Sequence, residues 1–191
     1  MSELTEHELR FLWTQRIDES EVMDCGEMSS RRYKGAMELE GYLFCISPSF
    51  CCNDHRLRSR AGHCIQCDTT RIAFVRRHYA EAYIYIAGSI GWKVVKVGNA
   101  IWPERRVSAL NSRRYGGIQD WVMLYRNKFA YAGKVEFAAH GRLFGYRCGR
   151  SEIFRCSYAL AKKALAEAAV GYNGTDEWER RFAALRYSFD E

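Results

Sequence analysis

The stretch that constrains this chain most runs from Ala82 to Asn111 and reads AYIYIAGSIGWKVVKVGNAIWPERRVSALN. Tyr83 to Ala87 is a β-branched and aromatic run, Gly88, Ser89 and Gly91 offer a turn, and Trp92 to Val97 is a second apolar run. Two such runs with a glycine-bearing link between them predict a β-hairpin. After Gly98 a short link leads to Pro103, whose fixed φ suits the first position of a helix, with ERRVSALNSR behind it. Val107 and Leu110 mark the buried side of that helix, which leaves Arg105 and Arg106 at its edge or outer face.

Beyond Asn111 the chain keeps the same scale. Asn111 to Gly117 is a loop with Arg113, Arg114 and two glycines, and Asp120 to Arg126 predicts a third strand. Tyr131 to Phe144 repeats Ala132, Val135, Ala139 and Leu143 at helical spacing, with Glu136 and His140 four apart on one flank. A further helix opens near Ser157 and ends before Gly171, and a last helical stripe carries Trp178, Phe182, Leu185 and Phe189. Upstream, Thr5 and Glu8 have capping-box spacing ahead of Leu9, Leu12, Trp13 and Ile17. A second helix starts at Ser29 or Ser30 and carries Tyr33, Met37 and Leu43, with Arg31, Arg32 and Lys34 adjacent. Residues 68–78 suit a short helix or an extended connector.

Between these lies CISPSFCCNDHRLRSRAGHCIQC, residues 45–67. The chain carries eight cysteines, and its start, MSELTEHELR, is too polar for a secretory signal. A cytoplasmic, reducing location is therefore expected, where clustered Cys and His indicate metal more than disulfides. Cys64 and Cys67 form one half of a zinc-ligand set, and Cys51 or Cys52 with His55 the other. Cys51 is preferred for its wider spacing, and His63 and Cys45 are spare candidates. Four such ligands close a tetrahedron and leave no catalytic position, which predicts a structural Zn²⁺. Arg56, Arg58 and Arg60 alternate between the ligand pairs, as a rigid phosphate-gripping loop would, or as an ordinary solvated one. A net charge of +6 is compatible with nucleic acid and does not demand it, and no apolar run reaches membrane length.

Around the hairpin the chain resembles the GIY-YIG nuclease superfamily. Tyr83-Ile84-Tyr85 stands where the family has its first motif and Lys96-Val97-Gly98 where it has its second, with lysine in place of the name-giving tyrosine. Arg106, eight residues past Gly98, stands at the family's helix-borne arginine, and Ser151 to Arg155 resembles a short motif found after the acidic helix in some branches. The resemblance covers residues 82 to 160. It implies an α+β fold, a three-stranded antiparallel sheet flanked by helices, preceded by a helical and zinc-binding segment. The expected division is 1–44 helical, 45–80 zinc module and connector, 81–160 nuclease-like domain and 161–191 C-terminal helices.

By the same resemblance, Tyr85 is the general base or water-positioning group, Arg106 binds the scissile phosphate and Glu136 holds a catalytic Mg²⁺, in a one-metal mechanism. Lys96 on the adjacent strand is expected to favour the Tyr85 phenolate. His140 either orients a metal-bound water or is an exposed helix histidine, and Glu152 is the rival carboxylate. Arg105, Arg113 and Arg114 join the zinc-loop arginines as candidate DNA contacts. The expected activity is metal-dependent hydrolysis of phosphodiesters in double-stranded DNA, with homodimerisation as one route to cutting both strands. A non-catalytic nucleic-acid-binding protein of the same fold, and a zinc-stabilised protein adaptor, are the alternatives.

Overall fold

The structure, a computed structural model, describes residues 4–179. The chain divides into two compact units, Met1–Arg77 and His78–Glu191. In the first, α1 (Glu6–Thr14) opens on a closed capping box. The Thr5 hydroxyl accepts from the Glu8 main-chain N–H, and the Glu8 carboxylate accepts from the Thr5 N–H. Then follow β1 (Val22–Asp24), α2 (Ser30–Glu40), β2 (Phe44–Ile46), β3 (Leu57–Ser59) and α3 (Thr70–Tyr79). Gly41 takes the left-handed conformation at φ 85°, which ends α2 before Leu43 can join its stripe.

The expectation of helices alone ahead of the cysteine segment is corrected here. The three short strands form a sheet in which β1 runs parallel to β2 and β2 antiparallel to β3. Met23, Cys25, Tyr33, Met37 and Cys45 fill the small core between sheet and α2. Three-residue strands are too short to show alternation, so the sequence carried no signal for them.

The second unit is built on the hairpin β4 (Ala82–Ser89) and β5 (Val94–Ala100), with α4 (Pro103–Ser112), β6 (Val122–Phe129), α5 (Ala132–Arg142), β7 (Ile153–Phe154), α6 (Tyr158–Ala168) and β8 (Trp178–Glu179). Among the described residues the sheet has five strands rather than three, in the order β7-β5-β4-β6-β8, and every neighbouring pair is antiparallel. The two unexpected strands are two residues long. Trp178, assigned above to a helical stripe, lies in β8, and Phe182, Leu185 and Phe189 fall outside the described residues.

The hairpin turn spans Ile90 to Lys93 and is held from outside. Asp120 accepts from the Ser89 hydroxyl at 2.6 Å and from the Gly91 N–H at 3.1 Å. Asp120 therefore serves the turn and precedes β6 instead of opening it. Ile84, Ile86, Val95 and Val97 pack towards α5 and α6. Tyr85, Ala87 and Val94 pack with Val107 and Leu110 of α4. This two-faced burial is the reason both hairpin strands read as near-continuous apolar runs.

Candidate active site and metal cluster

On β5, strand β7 reaches only Val95 and Lys96, so among the described residues no strand covers the outer edge of β5 from Val97 onward. Main-chain groups on such an edge need partners, and α5 supplies them. The Glu136 carboxylate accepts from the Asn99 N–H at 2.9 Å and from the Asn99 side-chain amide at 2.6 Å, and His140 Nε2 lies 2.9 Å from the Val97 carbonyl. The spacings agree: residues four apart on a helix and residues two apart on a strand are both separated by roughly 6 Å. The contact to a carbonyl makes Nε2 the protonated nitrogen of a neutral His140 and leaves Nδ1 as an acceptor. His140 is thus a docked side chain, and the exposed-helix reading does not hold.

Burial, followed by the nearby Glu152 charge, pushes the Glu136 carboxyl up to about 7, against the pull of Lys96 and Asn99. Burial also lowers the His140 pKa. Lys96 lies almost wholly inside the unit at 1% exposure, and its ammonium binds Glu152 at 2.6 Å. It also rests 5.1 Å above the Tyr115 ring, whose hydroxyl is 3.4 Å from the Glu152 N–H. Burial disfavours the Glu152 anion, but the Lys96 contact outweighs it and holds that carboxyl below its ordinary range. Register explains the pairing, because β7 sets Ile153 opposite Lys96 and so brings Glu152 beside it. The two carboxylates treated above as rivals share one site.

Tyr85 is fully buried and stands opposite Gly98 in the hairpin. A Cβ at Gly98 would come within 2.7 Å of the Tyr85 hydroxyl and 2.8 Å of Cζ, so the phenol seats on the glycine's bare Cα. The Tyr85 hydroxyl has no well-aligned hydrogen bond among the described residues, and the Arg106 side chain approaches it as a donor. Burial pushes its pKa up to about 12, although the Arg106 guanidinium lies near enough to favour the phenolate. The expected support from Lys96 is corrected on this point. Lys96 stands opposite Ala87 and is engaged by Glu152, and Arg106 is the cation that acts on Tyr85. Tyr83, two residues earlier, donates to Asp176 at 2.5 Å and belongs to the framework.

The zinc-loop arginines are also corrected. Arg58 and Arg60 are 6% and 7% exposed. Arg58 donates to the Ser49 carbonyl at 3.1 Å, and Arg60 to that of Tyr42. Arg56 forms a two-pronged pair with Glu8, at 3.1 and 2.7 Å. That pairing overcomes the burial of Glu8 and lowers its pKa. These guanidinium groups satisfy carbonyls and a carboxylate inside the first unit and are turned away from solvent phosphate. Arg105, Arg106, Arg113 and Arg114 are exposed.

Cys51, His55, Cys64 and Cys67 gather with their ligand atoms all within 4.8 Å of one another. The cluster uses Cys51 and leaves out Cys52, Cys45 and His63. The Cys51 and Cys67 sulfurs are 3.7 Å apart, and His55 Nδ1 is 3.3 Å from Cys67 and 3.8 Å from Cys64. A tetrahedron with Zn–S near 2.3 Å and Zn–N near 2.0 Å has edges of about 3.8 Å (S···S) and about 3.5 Å (S···N). The donor set therefore has the dimensions of a closed site that could hold a metal such as zinc. The Asn53 main-chain N–H, 3.4 Å from Cys51 Sγ, is the leading cause that lowers that thiol to about 6, which favours the ligating thiolate.

Residues 82–169 are similar to the T5orf172 domain. That span runs from β4 through α6 and holds every member of the Tyr85, Lys96, Arg106, Glu136, His140 and Glu152 group. The similarity indicates a nuclease-like or nucleic-acid-related role. No curated protein and no solved structure matches the chain. Among the described residues no helix is long and apolar enough to cross a membrane.

Asn99 and Tyr115 join the site from outside its sequence motifs. Asn99 had a signal: Val95 and Val97 set an inward-facing alternation that places a polar residue on the packed face at 99. Tyr115 carried none, since only the fold brings its loop over Lys96.

Proposed function

We propose that this protein is a divalent-metal-dependent DNA endonuclease of the GIY-YIG type, with its active centre at Tyr85, Arg106, Glu136 and Glu152. The observation that carries the reading is the buried Tyr85 hydroxyl, which has no well-aligned hydrogen bond, is approached by the Arg106 side chain and lies within the field of both carboxylates. A buried polar group left unpaired has a cost, and a catalytic role is one of the reasons a fold retains it.

The neighbouring chemistry fits a hydrated Mg²⁺, which needs only one or two carboxylates together with substrate oxygens. Burial, followed by the Glu152 charge, raises the Glu136 pKa, and a cation bound beside it would favour the carboxylate. Glu136 would hold the ion, and bound there it would supply Lewis-acid stabilisation of the leaving 3′ oxygen. Arg106 binds the scissile phosphate, where a planar guanidinium can contact two oxygens at once. With a pKa of about 12, Tyr85 is phenolate in only ~10⁻⁵ of molecules at pH 7. Tyr85 would therefore work as a neutral phenol: once substrate binding uncovers its hydroxyl, which is sealed from solvent here, its oxygen would take a proton from the attacking water as its own proton passes to a phosphate oxygen. Lys96 keeps Glu152 ionised and lets two carboxylates stand close together. Arg105, Arg113 and Arg114 take flanking phosphates, and the Cys51, His55, Cys64, Cys67 set holds one structural Zn²⁺.

A second reading, a nucleic-acid-binding protein without catalysis, is favoured by the use of both Glu136 oxygens on Asn99. Incubating labelled duplex DNA with the full chain and Mg²⁺ separates the two. The endonuclease reading requires Mg²⁺-dependent cleavage that Glu136→Gln abolishes while DNA affinity changes by less than about threefold. Salt-sensitive binding without cleavage by the wild type would support the second reading instead.

A further inference from the structure

Ile101 and Trp102 carry large apolar side chains into solvent, 66% and 65% exposed. They join β5 to α4, so along the chain Trp102 lies between Asn99, which clamps Glu136, and the helix that bears Arg106. The Arg106 main-chain N–H donates to the Trp102 carbonyl at 3.0 Å, and indole and guanidinium grow from the same helical turn. The Arg105 guanidinium lies over the indole, 5.6 Å from the ring centroid.

An exposed indole is poorly solvated, and this one follows exposed Ile101 and precedes a run of polar side chains on α4. Beyond Ile101 the exposed side chains next to the indole on α4 are polar (Glu104, Arg105, Arg106 and Ser108), so the apolar surface here is two side chains, smaller than the apolar core of a protein interface. A nucleobase fits better. It offers a flat π-face for the indole, its phosphates meet Arg105 and Arg106, and a cation behind the ring strengthens the stack. Within a regular duplex both faces of a base are covered by its neighbours. An indole can stack only where a base is unpaired or has been displaced.

We propose that Trp102, backed by Arg105, is a stacking platform for the nucleobase beside the phosphate held by Arg106, and that the preferred substrate carries an unpaired base there. This rests on the phosphate-binding role given to Arg106 above.

The test measures anisotropy of labelled DNA with the full chain, in buffer without added divalent cation. The probes are a single strand, its duplex, and the duplex with one unpaired base. The wild type should bind the two probes with unpaired bases more tightly than the duplex. Trp102→Ala should lose about tenfold on those probes, the scale of one base–aromatic stack, and less than about twofold on the duplex. Trp102→Phe should recover most of the loss, and as the side chain is exposed neither variant should disturb the fold. Equal losses on all three probes, or none on any, would overturn the proposal.

Cleavage is scored separately with Mg²⁺. Trp102-dependent binding of unpaired DNA without cleavage would retain this inference and refute the endonuclease. Cleavage with an unaltered Trp102→Ala profile would do the reverse. Absence of binding to every probe would refute both and leave the exposed pair to a protein partner.

Discussion

Glu136 gives the sharpest test of the active-centre electrostatics, through the stability of the metal-free protein. Its carboxyl stands at about 7 in the folded chain against an ordinary 4.5. Between those values the native state binds a proton that the unfolded state has released. The stability linked to Glu136 is therefore fully present below pH 4.5 and is lost as pH rises through 7. A gap of roughly 2.5 units corresponds to about 3 kcal/mol by pH 8.5. For a chain of this size that equals roughly 6–12 °C in Tm. The lowered pKa values of His140 and Glu152 act in the opposite direction, adding stability as pH rises. Both remain in Glu136→Gln, so the difference between the two proteins isolates Glu136. The glutamine keeps an acceptor for the Asn99 N–H, and the Asn99 amide can turn to accept from its new NH₂. Thermal unfolding from pH 5 to 8.5 should show the variant gaining on the wild type up to about pH 7 and holding level above it. Mg²⁺ at pH 8.5 should restore the wild type and leave the variant unmoved. Parallel curves across the whole range would refute the argument.

Other expected outcomes follow from the same contacts. Gly98→Ala places a Cβ 2.7 Å from the Tyr85 hydroxyl; displacing the ring should cost about 1–3 kcal/mol and cut cleavage sharply. Denaturant titration checks the first part, and an unchanged midpoint would contradict the packing described. Lys96→Met removes the cation that lowers the Glu136 pKa and pairs with Glu152. Its pH–rate profile should shift to higher pH, and a profile that weakens without moving would mean that Lys96 contacts phosphate instead. Elemental analysis should find about one zinc per chain, retained in Cys52→Ser and lost in Cys51→Ser with melting of the first unit. Equal zinc content in the two variants would undo the ligand assignment.

The long, periodic elements were legible from residues alone. The hairpin, α4 with Pro103 at its start, β6 and α5 lie within a few residues of where their patterns put them, because apolar runs and helical stripes report burial directly. Two-residue strands leave no pattern, and β7 and β8 exist only because β5 and β6 offer them edges. Arg56, Arg58 and Arg60 read as a solvent-facing basic loop because charge predicts exposure. The main-chain carbonyls of Tyr42 and Ser49, ahead of the Cys/His cluster, need donors, and Arg60 and Arg58 reach them from inside. Lys96 was read by its neighbour across the hairpin. Its true partner, Glu152, arrives from 56 residues away. The pairing of Glu136 with His140 was visible as a four-residue spacing, but the β5 edge that it covers was not.

The most direct measurement is the single-turnover rate of cleavage of end-labelled DNA by wild type and Tyr85→Phe at saturating Mg²⁺. The phenylalanine keeps the ring on Gly98 and removes the hydroxyl, so fold and DNA affinity should persist. The wild type should leave 3′-hydroxyl and 5′-phosphate ends, and the variant's rate should fall by about 10²-fold or more, as for other groups that act on the reacting atoms. Equal rates for the two proteins would contradict the account, because its central residue would then be packing alone.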